Sequence, residues 1–559
     1  MSHAPAARTP TAVDAIAERW VETLVDLSPD TATYIGAAGR LDEYTDFSPE
    51  GRQRYAAAAR ATLAELAAAA PVDDTDRVTI ADLSAELTLD LELADAGWDQ
   101  RDLNVIASPA QGIREIFDLM PTAGEADWRT IAGKLGNVAR ALEGYTATLR
   151  EGIAAGNTPA RRQVQEVLEQ ARRTAAADGF FPEFAASAGE GEGAVPASLQ
   201  ADLDRNAQAA AAAYGAFAQF LEAELLPAAR EHDPVGRDLY ALMSRRFLGA
   251  VIDLDETYEW GIEELARMVE EQTRVAGEIL PGATVEEAIA HLEKDPARKL
   301  QGRDALQAWM QNLSDTAIAE LSRTHFEIPE PVKELECMIA PTPGGAIYYT
   351  GPTDDFSRPG RMWWSIPEGV DEFDTWRETT TVYHEGVPGH HLQIGQAVYN
   401  RAQLNSWRRL LAGTSGHAEG WALYAERLME ELGYLDDPAD RLGMLDGQRM
   451  RAARVVLDIG VHLGKTHPDT GAVWTSEDAF AFMRRNVNMN DGFVTFEVNR
   501  YLGWPGQAPS YKVGQRIWEQ IRDAAKATQG AAFSNKAFHK HALDLGGVGL
   551  DTLRGALLG

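Results

Sequence analysis

SPEGRQRYAAAARATLAELAAA, residues 48–69, sets the fold class of this chain. Ser48 is placed as an N-cap and Pro49 takes the first helical position, where its missing N–H is not needed. Behind them an Ala-rich helix runs to about residue 69. Its Ala runs are interrupted by polar residues and read as helix surface, not as a membrane span. Outward from it the same periodicity recurs. Val13, Ile16, Trp20, Leu24 and Val25 repeat at about 3.6 residues over 12–27. Residues 73–96, 127–154, 158–177 and 198–229 read likewise. Long helices joined by short Pro/Gly/Asp turns predict a mainly α assembly and not a Rossmann or barrel fold.

The 559 residues allow two to four domains or one intertwined helical body. An Ala/Gly/Glu-rich stretch at 186–198 lacks an apolar period and reads as a flexible loop or linker. It divides an N-terminal helical region, 1–185, from a helical region, 199–559, that carries the chemistry. A Gly-rich phosphate loop there is excluded by the absence of a preceding strand and of a Gly-Lys-Ser/Thr ending.

Composition excludes several function classes. A formal net charge of −33 opposes nucleic-acid binding and docking on anionic membranes. The single cysteine, Cys337, permits no intrachain disulfide and no thiolate metal site, so any metal must be held by His, Asp and Glu. No basic-then-apolar leader and no apolar run of membrane length is seen, which reads as a cytoplasmic chain.

Helical periodicity fails at 336–366. Cys337–Ala340, Ala346–Thr350 and Arg361–Ile366 are short β-like runs around Pro341-Thr342-Pro343-Gly344-Gly345, and predict a hairpin or a three-stranded sheet. An edge strand here could pair with an extended substrate backbone. From 374 the chain is helical again, apart from the loop at Gly503–Ser510.

Just downstream lies His384-Glu385-Gly386-Val387-Pro388-Gly389-His390-His391; four of the chain's 12 histidines fall between 384 and 417. In the helical pattern H-E-x-x-H, two imidazoles at i and i+4 hold Zn²⁺ and the Glu acts as general base. Here i+4 is Pro388. In a regular helix His391 would lie about 20° from His384 but roughly 10 Å along the axis. Gly386, Pro388 and Gly389 make such a helix untenable. A bulge that absorbs the extra residues puts His390 in the ligand position, with His391 as the alternate. The third ligand should be a carboxylate on a following helix. His417-Ala418-Glu419-Gly420-Trp421-Ala422-Leu423-Tyr424-Ala425-Glu426 offers two on one face. Glu419 is preferred, because Gly420 beside it lets another helix approach. Glu426 then orients a ligand histidine. Two imidazoles and one carboxylate suit one Zn²⁺ with a position left open.

His384–His391, the segment Glu419–Glu426 and Pro505–Gly514 together resemble the DUF885 family of bacterial proteins, over most of the chain. That family is itself similar to helical gluzincin-type zinc metallopeptidases such as thimet oligopeptidase and the carboxypeptidase Taq group. The resemblance implies two helical lobes around a deep channel with a small sheet near the metal. It implies Glu419 as the ligand that completes the site, and Tyr511 as the hydrogen-bond donor to the tetrahedral intermediate. Arg500 and Tyr424 are candidate substrate-binding residues, Arg500 because its fork matches a carboxylate. Tyr501 could anchor a substrate carboxylate together with Arg500, and Tyr383, Tyr424, His417 and the Tyr348-Tyr349 pair could line the cleft. The expected activity is zinc-dependent hydrolysis of peptides or small amides. The alternatives are a metal-dependent hydrolase of a non-peptide amide or ester, and a non-catalytic helical scaffold. Oligomeric state is not legible.

Overall fold

The computed structural model describes residues 7–189, 195–340 and 347–559. The predicted helices form where their caps place them. Thr11 and Asp14 make a reciprocal capping box at Ala12–Leu27. Ser48 accepts from the Gly51 N–H at the head of Pro49–Ala68. Asp73 caps Asp74–Asp95. The patterns over 127–154, 158–177 and 198–229 become Glu125–Ala155, Arg161–Thr174 and Ala197–Phe220, the last continuing through a wide π-helical turn at Leu221–Leu225.

An N-terminal core gathers Phe117, Trp128, Tyr145, Phe181, Tyr214 and Phe217. It draws helices from both sides of the 186–198 stretch, Phe180–Ser187 and Ala197–Phe220. Of that stretch, residues 190–194 lie outside the described residues. A larger core built on Trp376, Trp421, Tyr424, Leu457 and Trp518 fills the C-terminal half. The two halves interlock through contacts remote in sequence. Trp20 on the first helix packs with Leu83, Leu87 and Trp407. The Ser406 N–H donates to Glu18 at 2.7 Å, and the Asn405 amide to Asp14 at 3.1 Å. The Gln163 amide donates to the Asn499 carbonyl at 2.8 Å. Buried polar pairs of this kind fix the register between helices as well as filling space.

Among the described residues the sheets are small. Strand β1 (Lys299–Gln301) pairs antiparallel with β5 (Glu372–Asp374), a ribbon too short to leave a sequence pattern. The predicted β-like runs become β2 (Leu335–Ile339), β3 (Ile347–Thr350) and β4 (Gly360–Trp364). Their order is β2-β4-β3, so the third run sits between the first two, parallel to β2 and antiparallel to β3. Residues 341–346, which hold the proline- and glycine-rich turn, lie outside the described residues. The sheet abuts the histidine segment: the Tyr349 hydroxyl on β3 is 2.9 Å from His391 Nδ1.

Candidate metal centre

The helix carrying His384, Thr375–Glu385, ends at Glu385, and a new helix, His390–Tyr399, starts at His390. Four residues of non-helical backbone separate them, where a bulge inside one helix was expected. Gly386 has φ −92°, ψ −128° and Gly389 φ −74°, ψ −131°; the Val387–Pro388 peptide is cis. The glycines permit the fold-back because the chain crosses itself closely. A Cβ on Gly389 would stand 1.9 Å from the His384 carbonyl oxygen, and one on Gly386 2.6 Å from that of Val382. The turn sets His390 beside His384, with ring centroids 4.9 Å apart and planes at 89°.

Glu419 completes the group. Its Oε2 lies 3.3 Å from His384 Nε2 and 3.6 Å from His390 Nε2. The three ligand atoms all fall within 4.8 Å of one another. Glu419 rides on the Ser415–Glu431 helix, capped by Thr414. The expected close approach occurs at Gly420. A Cβ there would sit 2.4 Å from the Gly514 carbonyl carbon, and one on Gly514 2.3 Å from the Gly416 carbonyl oxygen. The Ser510–Gln529 helix is thus drawn onto the Glu419 helix. Tyr511, at its first turn, comes within range of the Glu419 charge. Burial first, and Glu419 second, push the Tyr511 phenol up to about 12 against the nearby Arg454, Arg500 and Arg451.

Around the three residues the electrostatics fit a cation. Glu426 Oε1 lies 2.7 Å from His384 Nδ1, and the Gln448 amide donates to Glu426 Oε2 at 3.1 Å. Burial would lower the His384 pKa, but its contacts with Glu419 and Glu426 prevail and raise it to about 10. Glu385 is buried and makes no hydrogen bond or ion pair among the described residues. Three carboxylates, Glu385, Glu419 and Glu426, therefore surround two imidazoles. Glu419 Oε2 is a buried atom without a hydrogen-bond partner, at the point where both imidazole Nε2 atoms converge. An orphaned carboxylate oxygen at such a focus calls for a positive charge. The donor set, two imidazoles and one carboxylate, could hold a metal ion.

Other sequence candidates lie elsewhere. His391 turns away from the group: its Nε2 is 2.8 Å from the Val332 carbonyl oxygen and its Nδ1 faces Tyr349, so it ties the turn to β3. Tyr424 is not in a cleft. It is 1% exposed, stacked on Trp518, with its hydroxyl 2.7 Å from His539 Nε2. Arg500 does not present a free fork. Its Nε and Nη2 donate to Glu497 at 3.2 and 2.9 Å and its Nη1 to Gln507 at 2.6 Å, bracing the loop that precedes Tyr511. Tyr501 joins that brace by accepting from Arg454 Nε at 2.7 Å. His417 is buried beside Gln393, and burial followed by Arg408 lowers its pKa to about 3. Tyr383 lines a cavity with Trp309, Tyr434 and Asp440, and Tyr348 stacks on Trp363. Sequence reading missed Gln448 and Arg451, which approach from the Pro438–Leu463 helix. Their only signal is a helical spacing shared with many surface residues.

Fold and site define a mainly helical protein with a half-buried His₂Glu cluster that could hold a metal ion. The chain belongs to the DUF885 family of bacterial proteins of unknown function, matched over residues 29–557. No match was found among curated proteins. The fold is that of a candidate lipoprotein of Colwellia psychrerythraea: 22% identity, TM-score 0.84, 98% of this chain and 99% of that one. A candidate lipoprotein of unknown function from Shewanella oneidensis matches at 17% identity and TM-score 0.77, over 98% and 100% of the two chains. A Pyrococcus furiosus carboxypeptidase aligns over 99% of this chain and 96% of that one at 12% identity, with a TM-score of only 0.41. The cytoplasmic placement expected from the sequence does not stand, since two solved structures that share the fold over its full length are described as candidate lipoproteins. That expectation rested on an absent leader and an absent span, and an absence places a chain nowhere. Among the described residues no helix is long and apolar enough to cross a membrane.

Proposed function

We propose that the chain is a zinc-dependent hydrolase of peptides or small amides, with His384, His390 and Glu419 as the metal ligands. The observation that carries the reading is the convergence of both imidazoles on the orphaned Glu419 Oε2, with Glu385 unpaired beside them. A divalent ion held there supplies Lewis acidity toward a carbonyl oxygen. The chain's own groups do the rest. Glu426 accepts the His384 Nδ1–H and so leaves Nε2 as the ligand nitrogen. Gln448 fixes the other Glu426 oxygen. Glu385 takes the proton of the attacking water and returns it to the leaving amine. Tyr511, a phenol at the first turn of the helix packed on the Glu419 helix, can donate to the developing oxyanion.

Equilibrium dialysis should find about one zinc per chain, and a peptide library should reveal turnover. Glu385→Gln should retain the zinc while turnover falls about 10²–10⁴-fold, the usual contribution of a general base. Folded protein that takes up no zinc, or Glu385→Gln with wild-type turnover, sinks the proposal. Zinc binding with no peptide cleaved moves the reading to a non-peptide amide or ester.

A further inference from the structure

We propose that Arg451 is the anchor for a carboxylate of the substrate. The proposal rests on the peptide-hydrolase reading and extends it to the group by which the substrate is held. Four other arginines on the helices packed around the centre already have anions. Arg427 pairs with Glu271 and Glu430, Arg454 and Arg500 share Glu497, and Arg522 pairs with Glu431. Arg451 makes no hydrogen bond and no ion pair among the described residues, and its Nε is buried without a partner. An ordered, partly buried guanidinium without an anion is costly, and the cost is offset when one arrives.

Its position says which anion. Arg451 lies on the Pro438–Leu463 helix, three residues after Gln448 and three before Arg454. Residues at that spacing share a face. Gln448 reaches the carboxylate behind His384, and Arg454 reaches Glu497 and Tyr501. Arg451 therefore projects between the metal centre and the Tyr511 brace. Its guanidinium carbon is 5.8 Å from the centre of the Tyr511 ring. Its charge reaches Glu426 and helps hold that carboxyl low, but Glu426 is already engaged by His384 and Gln448. Room for the fork comes from Gly447, one turn back, where a Cβ would stand 2.7 Å from Arg451 Nη1. A planar fork with free donors, set beside an oxyanion donor and a metal site, matches a carboxylate bidentately. The carboxylate can belong to the C-terminus of a peptide or to an acidic side chain.

The zinc-loaded full chain should be tested on matched N-acetylated tripeptides: the free acid, its C-terminal amide, and an amide bearing a penultimate Glu. Wild type should prefer a carboxylate-bearing member, and which one it prefers identifies the source. Arg451→Ala should cut that preference at least about 30-fold, the low end for removing one partner of a buried charge pair, mainly through KM. Zinc content should not change. Arg451→Lys should restore only part, lacking the fork. Calorimetric binding of the preferred peptide to zinc-loaded Glu385→Gln, weakened on adding Arg451→Ala, gives a readout independent of turnover. Wild type that treats acid and amides alike overturns the assignment while leaving the hydrolase reading intact. So does Arg451→Ala that lowers all three equally. A zinc-loaded chain that neither binds nor cleaves any of them overturns both.

Discussion

Replacing His390 or His391 by alanine, one at a time, separates two adjacent histidines to which the proposed centre gives different jobs. His390 Nε2 is 3.6 Å from Glu419 Oε2, on the metal side of the turn. Binding free energies of about 10–16 kcal/mol for well-formed zinc sites, spread over three protein ligands, put one ligand at about 3–5 kcal/mol. His390→Ala should therefore weaken zinc affinity by roughly 10²–10³-fold or more. Its effect on metal-free stability should be small, because only the metal-facing nitrogen has neighbours of consequence. His391 is 1% exposed and bonded at both ring nitrogens, to Val332 and to Tyr349. His391→Ala strands a buried carbonyl and a buried hydroxyl at about 1–3 kcal/mol each, and adds a void. Several kcal/mol of metal-free stability should be lost, while zinc affinity falls no further than the roughly 10–100-fold of an outer-shell group. Competition against a chromophoric chelator reads the first quantity and urea unfolding of the metal-free protein the second. If His391→Ala loses more zinc affinity than His390→Ala while both remain folded, the assignment is wrong.

Tyr511→Phe should lower kcat by about 10²-fold with little change in KM, since the phenol serves an oxyanion absent from the ground state; near-wild-type kcat on any substrate turned over would remove Tyr511 from the mechanism. Asp458 gives a pH-dependent test: it accepts from the Tyr240 hydroxyl at 2.6 Å and the Gly506 N–H at 2.9 Å, yet burial outweighs both and pushes its carboxyl up to about 7. An acid with a raised folded-state pKa keeps its proton in the native state while the unfolded chain has lost it. This contribution to stability is intact below the unfolded value near 4, is lost as pH rises toward 7, and is constant above. Asp458→Asn keeps an acceptor and cannot ionise. Its stability relative to wild type should rise by about 1.4 kcal/mol per pH unit between pH 4 and 7 and then level off; urea titrations showing a pH-independent difference would refute the buried-acid assignment.

What the sequence made legible, and what it hid, divides by the range of the interaction. The helix starts at Thr11, Ser48 and Asp73 were readable because a cap is satisfied within three residues of itself. His390 could be favoured over His391 for a similar reason: Gly386, Pro388 and Gly389 forbid a continuous helix, and that constraint is local. The form of the break was less legible, since a full turn and a one-helix bulge both move the ligand by the same count of residues. The close packing beside Glu419 was readable because Gly420 announces a near neighbour, although the neighbour itself, the helix of Gly514, lies almost a hundred residues on. Tyr424 and Arg500 show where such reading runs out. Both sit in motif-dense segments, and an aromatic or a guanidinium looks the same in sequence whether it faces a substrate or a buried partner. Only the fold shows that His539 and Glu497 have engaged them. Arg451 is the inverse case. It stands in no motif, and its interest is that it lacks a partner, a property defined only once the charges around it have found theirs. A chain with 85 acidic residues to 52 basic ones offers anions on nearly every side. A guanidinium left without an ion pair beside the Tyr511 phenol is therefore better explained by a ligand that comes from outside the chain.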